Sequence, residues 1–126
     1  MRSRYGRRRR LRTAAEFDAV FKRGVRHGGR LFLLVVAPNP VRFDRLGLAV
    51  SRRVGDAVER NRARRLLRES FRRIERQGEG GLDLVAVAHR DIVACPQAEV
   101  DRELRERLRR IERKAGPGGT PAAAGG

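Results

Sequence analysis

The order of predicted helices and strands indicates an α+β fold, a small α/β sandwich built as one domain. Three observations support this fold class. The chain has 126 residues, a length typical of one domain. Its apolar residues switch between helical and strand spacing. Gly and Pro residues separate the periodic segments. The predicted order is helix, strand, strand, helix, strand, helix.

The first helix is predicted to begin at Thr13, because Thr is a good N-cap and Glu16 three residues later completes a capping-box pattern. Gly24 is predicted to end it. Residues 27–29, which include two Gly residues, then form a flexible approach to a strand over residues 31–37.

A second strand is predicted over about residues 45–52, after the break at residues 38–40. Its large residues are Leu46, Leu48 and Val50, and they alternate with small residues. One face of this strand is therefore nearly free of side chains, so another group could approach the backbone closely there.

The longest predicted helix spans residues 57–76, and a buried strand spans residues 82–88 after a turn at 77–81. Pro96 opens a last helix. The apolar stripe of the long helix is Ala63, Leu66, Leu67, Ser70, Phe71 and Ile74, and that of the last helix is Val100, Leu104, Leu108 and Ile111.

Both ends of the chain differ in composition from the middle. Residues 1–12 carry seven Arg and no acidic residue, which is typical of a flexible basic arm. Residues 115–126 consist mainly of Gly, Pro and Ala and are expected to be disordered. The folded α/β domain is therefore predicted to span residues 13–114.

The formal net charge is +16, from 31 Lys and Arg against 15 Asp and Glu. All of the excess lies in residues 1–76, which hold 23 basic and 7 acidic residues. Such a charge opposes compaction and favours a polyanionic partner. A genome rich in Arg codons would explain why 29 of these cations are Arg, but it would not explain the net charge.

Other features exclude several classes of protein. No apolar run reaches the roughly 18 residues of a membrane-spanning helix, and no secretion signal follows the basic N-terminus. Cys95 is the only cysteine, so no intrachain disulfide can form. We therefore expect a cytoplasmic protein that does not contact membranes.

The segment from Ser51 to Glu69 carries the main functional signal. Wound as a helix, residues 57–76 place their Arg side chains opposite the apolar stripe, and few acidic residues interleave with them. Each Arg can donate two hydrogen bonds to phosphate oxygens. The alternative to a phosphate-binding face is an ordinary solvent-exposed face, where side chains of opposite charge usually pair. The last helix fits that alternative. The cationic face consists of Asn61, Arg65, Arg68, Arg72 and Arg76, with Arg62 beside it and Arg60 and Arg64 at its edges.

Three blocks of sequence resemble one family, the bacterial ribonuclease P protein component. The first is Gly55-x-Ala57-Val58-x-Arg60-Asn61-Arg62-x-x-Arg65-Leu66-x-Arg68-Glu69, which is similar to the Arg-Asn-Arg signature of the family. The others are Phe17-x-x-Val20-Phe21-x-x-Gly24 and Leu46-Gly47-Leu48-Ala49-Val50-Ser51-Arg52-Arg53. The resemblance covers about residues 10–113.

The resemblance implies a finer fold, with the order α-β-β-β-α-β-α, a mixed four-stranded sheet and a left-handed βαβ crossover, like the second domain of ribosomal protein S5. It also implies a function: the chain would be the protein subunit of ribonuclease P. It would form a one-to-one complex with the catalytic RNA subunit and help to remove the 5′ leader of precursor tRNA, leaving the mature 5′ end.

The resemblance also implies two sets of binding residues. The RNA subunit would contact Arg52, Arg53, Arg60, Asn61, Arg62, Arg64, Arg65, Arg68 and Arg72. The single-stranded leader would lie against Phe17, Phe21, Val35 and Ser51, where ring stacking is a common mode of binding. Val35 stands where many family members have an aromatic residue. Core packing is an equally good interpretation of Phe17 and Phe21.

The chain itself shows no convincing catalytic group. His27 and His89 lack metal-ligand spacing, and Asp83 and Asp91 suit cap or turn positions. The protein is expected to bind no cofactor alone; Mg²⁺ in the holoenzyme would be held mainly by the RNA. Three alternatives remain: a ribosomal or general RNA-binding protein, a DNA-binding regulator, and a self-sufficient nuclease.

Overall fold

The computed structural model describes residues 10–41, 43–74 and 81–115, and in the last stretch it describes side chains up to Ile111. The order α-β-β-β-α-β-α is confirmed. The elements are α1 (Ala14–Arg23), β1 (Val25–His27), β2 (Phe32–Pro38), β3 (Arg45–Ala49), α2 (Ala57–Arg73), β4 (Leu82–Ala88) and α3 (Gln97–Ala115). Two 3₁₀ turns, Arg52–Val54 and Arg90–Ala94, precede α2 and α3.

The four strands form one mixed sheet in the order β1-β2-β4-β3. β2 pairs antiparallel with β1 and with β4, whereas β3 pairs parallel with β4. The β3-α2-β4 segment is therefore a crossover between parallel neighbours. Its left-handed sense stays a prediction from the resemblance.

Local sequence fixes where two of the helices begin. The hydroxyl of Thr13 accepts from the backbone N–H of Glu16, and the Glu16 carboxylate accepts from the N–H of Thr13, so the predicted capping box is confirmed. Gly24 is the C-cap of α1, as predicted. Asp56 and Glu59 form a second capping box at α2. These side chains satisfy backbone N–H groups that have no partner inside the helix.

Two hydrophobic cores lie on opposite faces of the sheet. The α2–α3 core contains the predicted apolar stripes of both helices, packed on one face of the strands. The smaller α1 core lies on the other face, where Val20 of α1 packs on Val35, Ala37 and Val85. Alternation along β2 and β4 divides their side chains between the two cores. The sheet therefore separates α1 from α2 and α3.

A polar seam joins α2 to α3. The Ser70 hydroxyl and the Arg73 guanidinium both donate to Asp101, which is buried. Gln97 Nε2 donates to Ser70 Oγ at 2.7 Å and to the Leu66 carbonyl at 2.9 Å. Hydrogen bonds at fixed positions along both helices set the rotation of α2 about its axis.

The prediction that the acids of α3 form a solvated, self-paired face is wrong for three of them. Asp101 belongs to the seam, and Glu99 pairs with Arg30 at 2.9 Å. The Glu103 carboxylate accepts from the backbone N–H groups of residues 31 and 32, at the start of β2. These acids hold α3 to the rest of the domain.

Several predicted boundaries shift. The second strand ends at Ala49 rather than Arg52, because the chain turns into the first 3₁₀ turn. Residues 27–29 are not all a loop, because His27 ends β1. The helix predicted over residues 57–76 ends at Arg73.

The predicted arm over residues 1–12 is shorter than expected, because Arg10 forms a bridge with Leu46 and Leu11 is buried in the α1 core. The rest of that arm, the turn at 77–80, Arg76 and the tail from 116 onward lie outside the described residues. In the described part of the chain, no helix has the length and apolar character needed to cross a membrane.

Candidate RNA-binding surfaces

The exposed side of α2 carries a stripe that faces away from the sheet and from α3. Asn61, Arg65, Arg68 and Arg72 are all exposed, and they recur every three or four residues. The buried residues Ala63, Leu66, Leu67, Ser70 and Phe71 lie on the other side. The predicted helical phase is therefore confirmed. We call Asn61, Arg65, Arg68 and Arg72 the α2 stripe.

The stripe continues toward the N-terminus of α2 through a residue that the sequence interpretation did not include among the binding residues. Val58 lies three residues before Asn61, and it is 77% exposed. Its helical spacing could have placed it on the stripe. Val58 therefore adds an exposed apolar side chain next to the cationic residues of the stripe.

Charge pairing differs along the stripe. Arg72 pairs with Glu69, and this hydrogen bond lowers the pKa of the Glu69 carboxyl. Among the residues that the structure describes, Arg65 and Arg68 have no carboxylate partner. The middle of the stripe is therefore the part best able to receive an anion.

The Arg residues at the edges of the stripe are already hydrogen-bonded within the chain. Arg60 donates to the Gly55 carbonyl at 2.9 Å, and Arg64 donates to Asn61 Oδ1 at 3.0 Å. Arg62 donates to the carbonyls of Val93 at 2.8 Å and Cys95 at 3.1 Å. Arg62 therefore links α2 to the segment before α3, and its contact with RNA stays a prediction.

The first 3₁₀ turn extends the cationic surface beyond α2. Arg52 and Arg53 are exposed, and Ser51 caps the turn by accepting from the Arg53 N–H at 3.3 Å. Both side chains can reach a ligand at this end of the sheet. The Ser51 hydroxyl is exposed, but its capping bond already orients it.

A second candidate surface lies on the α1 side of the sheet. Phe17 and Phe21 are one turn apart on α1, and both are partly buried against the α1 core. Beside them lies a row of partly exposed side chains, one from each of the three longer strands. This row is Leu33, Val87 and Ala49. We call the surface formed by Phe17, Phe21 and this row the α1 cleft.

The prediction that Val35 contacts the leader is wrong. Val35 has 0% exposure, because α1 covers it. Leu33, two residues earlier on the same face of β2, is partly exposed and takes its place in the α1 cleft. Strand alternation identified the correct face, but only the position of α1 shows which residue on that face remains accessible.

The face of β3 that was predicted to be nearly free of side chains, around Gly47, is covered by Phe17 and Leu11 of the same chain. A Cβ atom on Gly47 would lie 2.7 Å from Phe17 Cζ and 3.1 Å from Leu11 Cβ. The close approach to the backbone is therefore made by Phe17, whose ring lies on β3. Phe17 both packs the core and borders the α1 cleft.

Arg26 is a second residue that the sequence interpretation missed. It lies on β1 opposite Val35, so it shares the face of the α1 cleft. Its guanidinium carbon is 5.7 Å from the centre of the Phe21 ring, within cation–π range. This pair places a positive charge beside an aromatic ring, an arrangement that suits a single-stranded nucleic acid.

The side chains considered as candidates for catalysis or metal binding have structural partners or are buried. Asp83 accepts from Arg45 and from Asn39. Cys95 is buried, and desolvation raises the pKa of its thiol. Within the described residues, no three His, Cys, Asp or Glu side chains are close enough together to hold a metal ion.

Comparison with known proteins points to one family. The family model described as Ribonuclease P matches residues 5–112. The chain is 44% identical over 108 residues to the ribonuclease P protein component of Desulfovibrio desulfuricans, covering 82% of this chain and 83% of that protein. It is 36% identical over 103 residues to that of Clostridium kluyveri, covering 80% and 92%.

Solved structures agree with the sequence matches. The RNase P protein from Thermotoga maritima superposes with a TM-score of 0.73 at 31% identity, covering 82% of this chain and 97% of that one. The Staphylococcus aureus RNase P protein superposes with a TM-score of 0.72 at 25% identity, covering 80% and 93%.

Proposed function

Because the chain belongs to the ribonuclease P protein family, we propose that it is the protein subunit of a ribonuclease P ribonucleoprotein. In this role it binds the catalytic RNA subunit and the 5′ leader of precursor tRNA. The complex is an endoribonuclease that cuts the leader away and leaves a 5′ phosphate on the mature tRNA.

The observation that carries this proposal is the one-sided α2 stripe. Arg65 and Arg68 project from the helix without carboxylate partners among the described residues, on a chain with a net charge of +16. Arg forks match phosphate oxygens. We assign the α2 stripe, with Arg52 and Arg53, to the RNA subunit.

The α1 cleft is the proposed site for the leader. Phe17, Phe21 and Leu33 offer apolar and aromatic surface that is partly exposed. Arg26 adds a cation beside the Phe21 ring. A single-stranded RNA has unpaired bases that stack on such surfaces, whereas the base-paired body of mature tRNA does not present them. Leader binding in the cleft would therefore favour precursor over mature tRNA.

We propose that this chain contributes to the reaction by positioning the RNA and by neutralising phosphate charge. Hydrolysis of the phosphodiester needs Mg²⁺ to stabilise developing charge. The described residues of this chain do not fit a metal site, so we assign Mg²⁺ to the RNA subunit. By neutralising phosphates, the protein would reduce the Mg²⁺ concentration that the complex requires.

Reconstitution tests this function directly. A ribonuclease P RNA and a precursor tRNA are mixed across a Mg²⁺ series, with and without the full-length protein. Added protein should shift cleavage to lower Mg²⁺. An unchanged Mg²⁺ dependence would contradict the proposal and favour a general RNA-binding protein.

The same experiment includes the protein without RNA subunit, at high Mg²⁺. Cleavage of precursor tRNA in that sample would indicate that the chain is a nuclease by itself. Mature tRNA serves as the competitor, and it should displace the precursor poorly if the leader contributes binding energy.

A further inference from the structure

A single buried carboxylate of the polar seam holds α2 at two points. One oxygen of Asp101 accepts from the Ser70 hydroxyl, and the other oxygen accepts from the Arg73 guanidinium. Asp101 is 8% exposed, and Ser70 is 0% exposed. Ser70 and Arg73 are three residues apart, so they are neighbours on the surface of the helix. The carboxylate therefore fixes α2 both along its axis and about it.

Directional contacts between α2 and α3 are confined to this seam. In the described part of the chain, every hydrogen bond between the two helices involves Asp101 or Gln97. The rest of their interface is apolar, and it includes the small residue Ala63. Apolar packing is non-directional and loses uniqueness before it loses stability, whereas a buried polar group that loses its partner is costly. The seam is therefore the part of the interface that can select one rotation of α2.

The rotation of α2 decides where the α2 stripe points. Side-chain tips lie about 5–6 Å from a helix axis, so a rotation of about 20° moves them by roughly 2 Å. A shift of that size separates a guanidinium from a phosphate oxygen, because hydrogen bonds span only about 2.7–3.2 Å. Arg68 and Arg72 flank Ser70 in the sequence. The seam therefore acts on the same turns of the helix that carry these two cations.

We propose that Asp101 is a positioning residue for RNA binding: from beneath α2 it holds the helix in the rotation that aims the α2 stripe at the RNA subunit. Asp101 acts through Ser70 and Arg73 and touches no RNA itself, because it is buried between the two helices. The inference rests on the proposed function, since it concerns the surface that we assign to the RNA subunit. It adds a buried acid on a neighbouring helix to the requirements for binding.

The sign of one substitution separates positioning from charge. Removing an acid from a protein that binds a polyanion normally tightens binding, because the net charge becomes more positive. Asp101→Leu should instead weaken binding to a ribonuclease P RNA about tenfold, because α2 loses both of its bonds to the carboxylate. Glu106→Gln is the matched control, since it removes the same charge from an exposed side chain on α3. It should bind equally or up to about twofold more tightly.

Two further variants test the bonds of the seam one at a time. Asp101→Asn removes the charge but keeps an oxygen acceptor for the Ser70 hydroxyl, so it should bind RNA within about threefold of the wild type. Ser70→Ala leaves the charge of the protein unchanged and removes one of the two bonds to Asp101. It should weaken RNA binding about threefold. Rescue by Asp101→Asn relative to Asp101→Leu would be evidence that the acceptor oxygens hold α2.

A stability control separates the aim of α2 from folding. All affinities are measured with the full-length chain, well below the unfolding temperature of each variant, so that loss of folded protein does not lower the affinity. Leu108→Ala removes buried apolar contacts of α3 without removing a residue of the seam. It should lower the unfolding temperature but bind RNA within about twofold of the wild type.

The outcomes decide between the alternatives. Binding by Asp101→Leu that matches Glu106→Gln would overturn the positioning role, and so would equal losses of affinity in Asp101→Leu and Leu108→Ala. If Asp101→Leu does not fold, Ser70→Ala carries the test, and wild-type affinity in that variant would overturn the inference. If the wild type fails to bind ribonuclease P RNA, the proposed function is wrong. If it binds but the seam variants follow their controls, only the present inference is wrong.

Discussion

Asp83 on β4 accepts two hydrogen bonds from Arg45 on β3, from Nε at 2.7 Å and from Nη2 at 2.8 Å. The two residues are register partners in the parallel strand pair, and the Asp83 side chain is 3% exposed. The bond to Asp83 raises the pKa of the Arg45 guanidinium. The pair therefore joins the parallel strands β3 and β4 on the face of the sheet that α1 covers.

Removing one partner of this pair should be costly. Asp83→Ala leaves the partly buried Arg45 without its acceptor and Asn39 with only the Phe43 carbonyl, and we expect the free energy of unfolding to fall by about 3 kcal/mol. Asp91→Ala is the control, since its side chain is 61% exposed and 3.7 Å from Arg30. The control should change stability by less than about 1 kcal/mol in chemical denaturation. Equal losses would contradict a special role for Asp83.

Gly47→Ala should disturb the α1 cleft. The new Cβ would lie 2.7 Å from Phe17 Cζ, so the ring must move away from β3. We expect a loss of about 1–3 kcal/mol in unfolding free energy and weaker binding of a leader oligonucleotide. Gly28→Ala is a control, because nothing lies within 4 Å of its Cβ position. Unchanged leader binding in Gly47→Ala would separate Phe17 from the leader site.

Arg65→Ala tests the α2 stripe without touching the core. We expect about tenfold weaker binding to the RNA subunit, with the unfolding free energy within about 0.5 kcal/mol of the wild type. Arg102→Ala, at an exposed position on α3, should bind normally. Loss of folding in Arg65→Ala would show that its side chain has a structural partner.

Arg62→Ala should affect stability as well as binding. The Val93 and Cys95 carbonyls lose their Arg62 donors, and we expect the free energy of unfolding to fall by about 1–2 kcal/mol. Arg62→Lys keeps the charge but cannot donate to both carbonyls in the same fork geometry. If Arg62→Lys restores RNA affinity but not stability, the charge serves RNA and the fork serves the fold. Full stability in Arg62→Ala would contradict the link that we describe.

Acid should weaken the start of α1 through Glu16. Backbone hydrogen bonds, first from Thr13 and then from Arg12, lower the pKa of its carboxyl from the ordinary value of 4.5. A lowered folded-state pKa contributes stability above the unfolded value, and this contribution is lost as the pH falls through the folded value. Unfolding free energies of the wild type and Glu16→Gln should therefore converge between about pH 5 and about pH 3. A constant difference over that range would be evidence against the linkage.

The elements that sequence predicted best are those whose signals are local. Thr13, Glu16 and Gly24 act within one or two helical turns, so spacing alone placed α1 correctly. The short strand β1 was missed by the residue pattern because three residues between Gly24 and Gly28 carry no period, and pairing with β2 creates the strand. Only the family resemblance supplied the fourth strand.

The site residues also divide into those with local signals and those whose partners are distant in the chain. Helical spacing predicted which Arg residues of α2 are exposed. It could not predict that Arg62 donates across to Val93, or that Asp101 is buried beside Ser70, because those partners are distant in the chain. Val35 was misassigned for a related reason: its burial depends on where α1 lies across the sheet.

The sheet between the two candidate surfaces has a consequence for leader length. RNA seated in the α1 cleft and RNA held along α2 are kept apart by the strands and one layer of helix, and neither can cross that barrier. If the leader binds as we propose, it must therefore extend around an edge of the sheet before it contacts Phe17 or Leu33. Under the proposed function, precursors with leaders of only a few nucleotides should lose the preference over mature tRNA that leader contacts supply, while they keep the lower Mg²⁺ requirement that comes from neutralised phosphates.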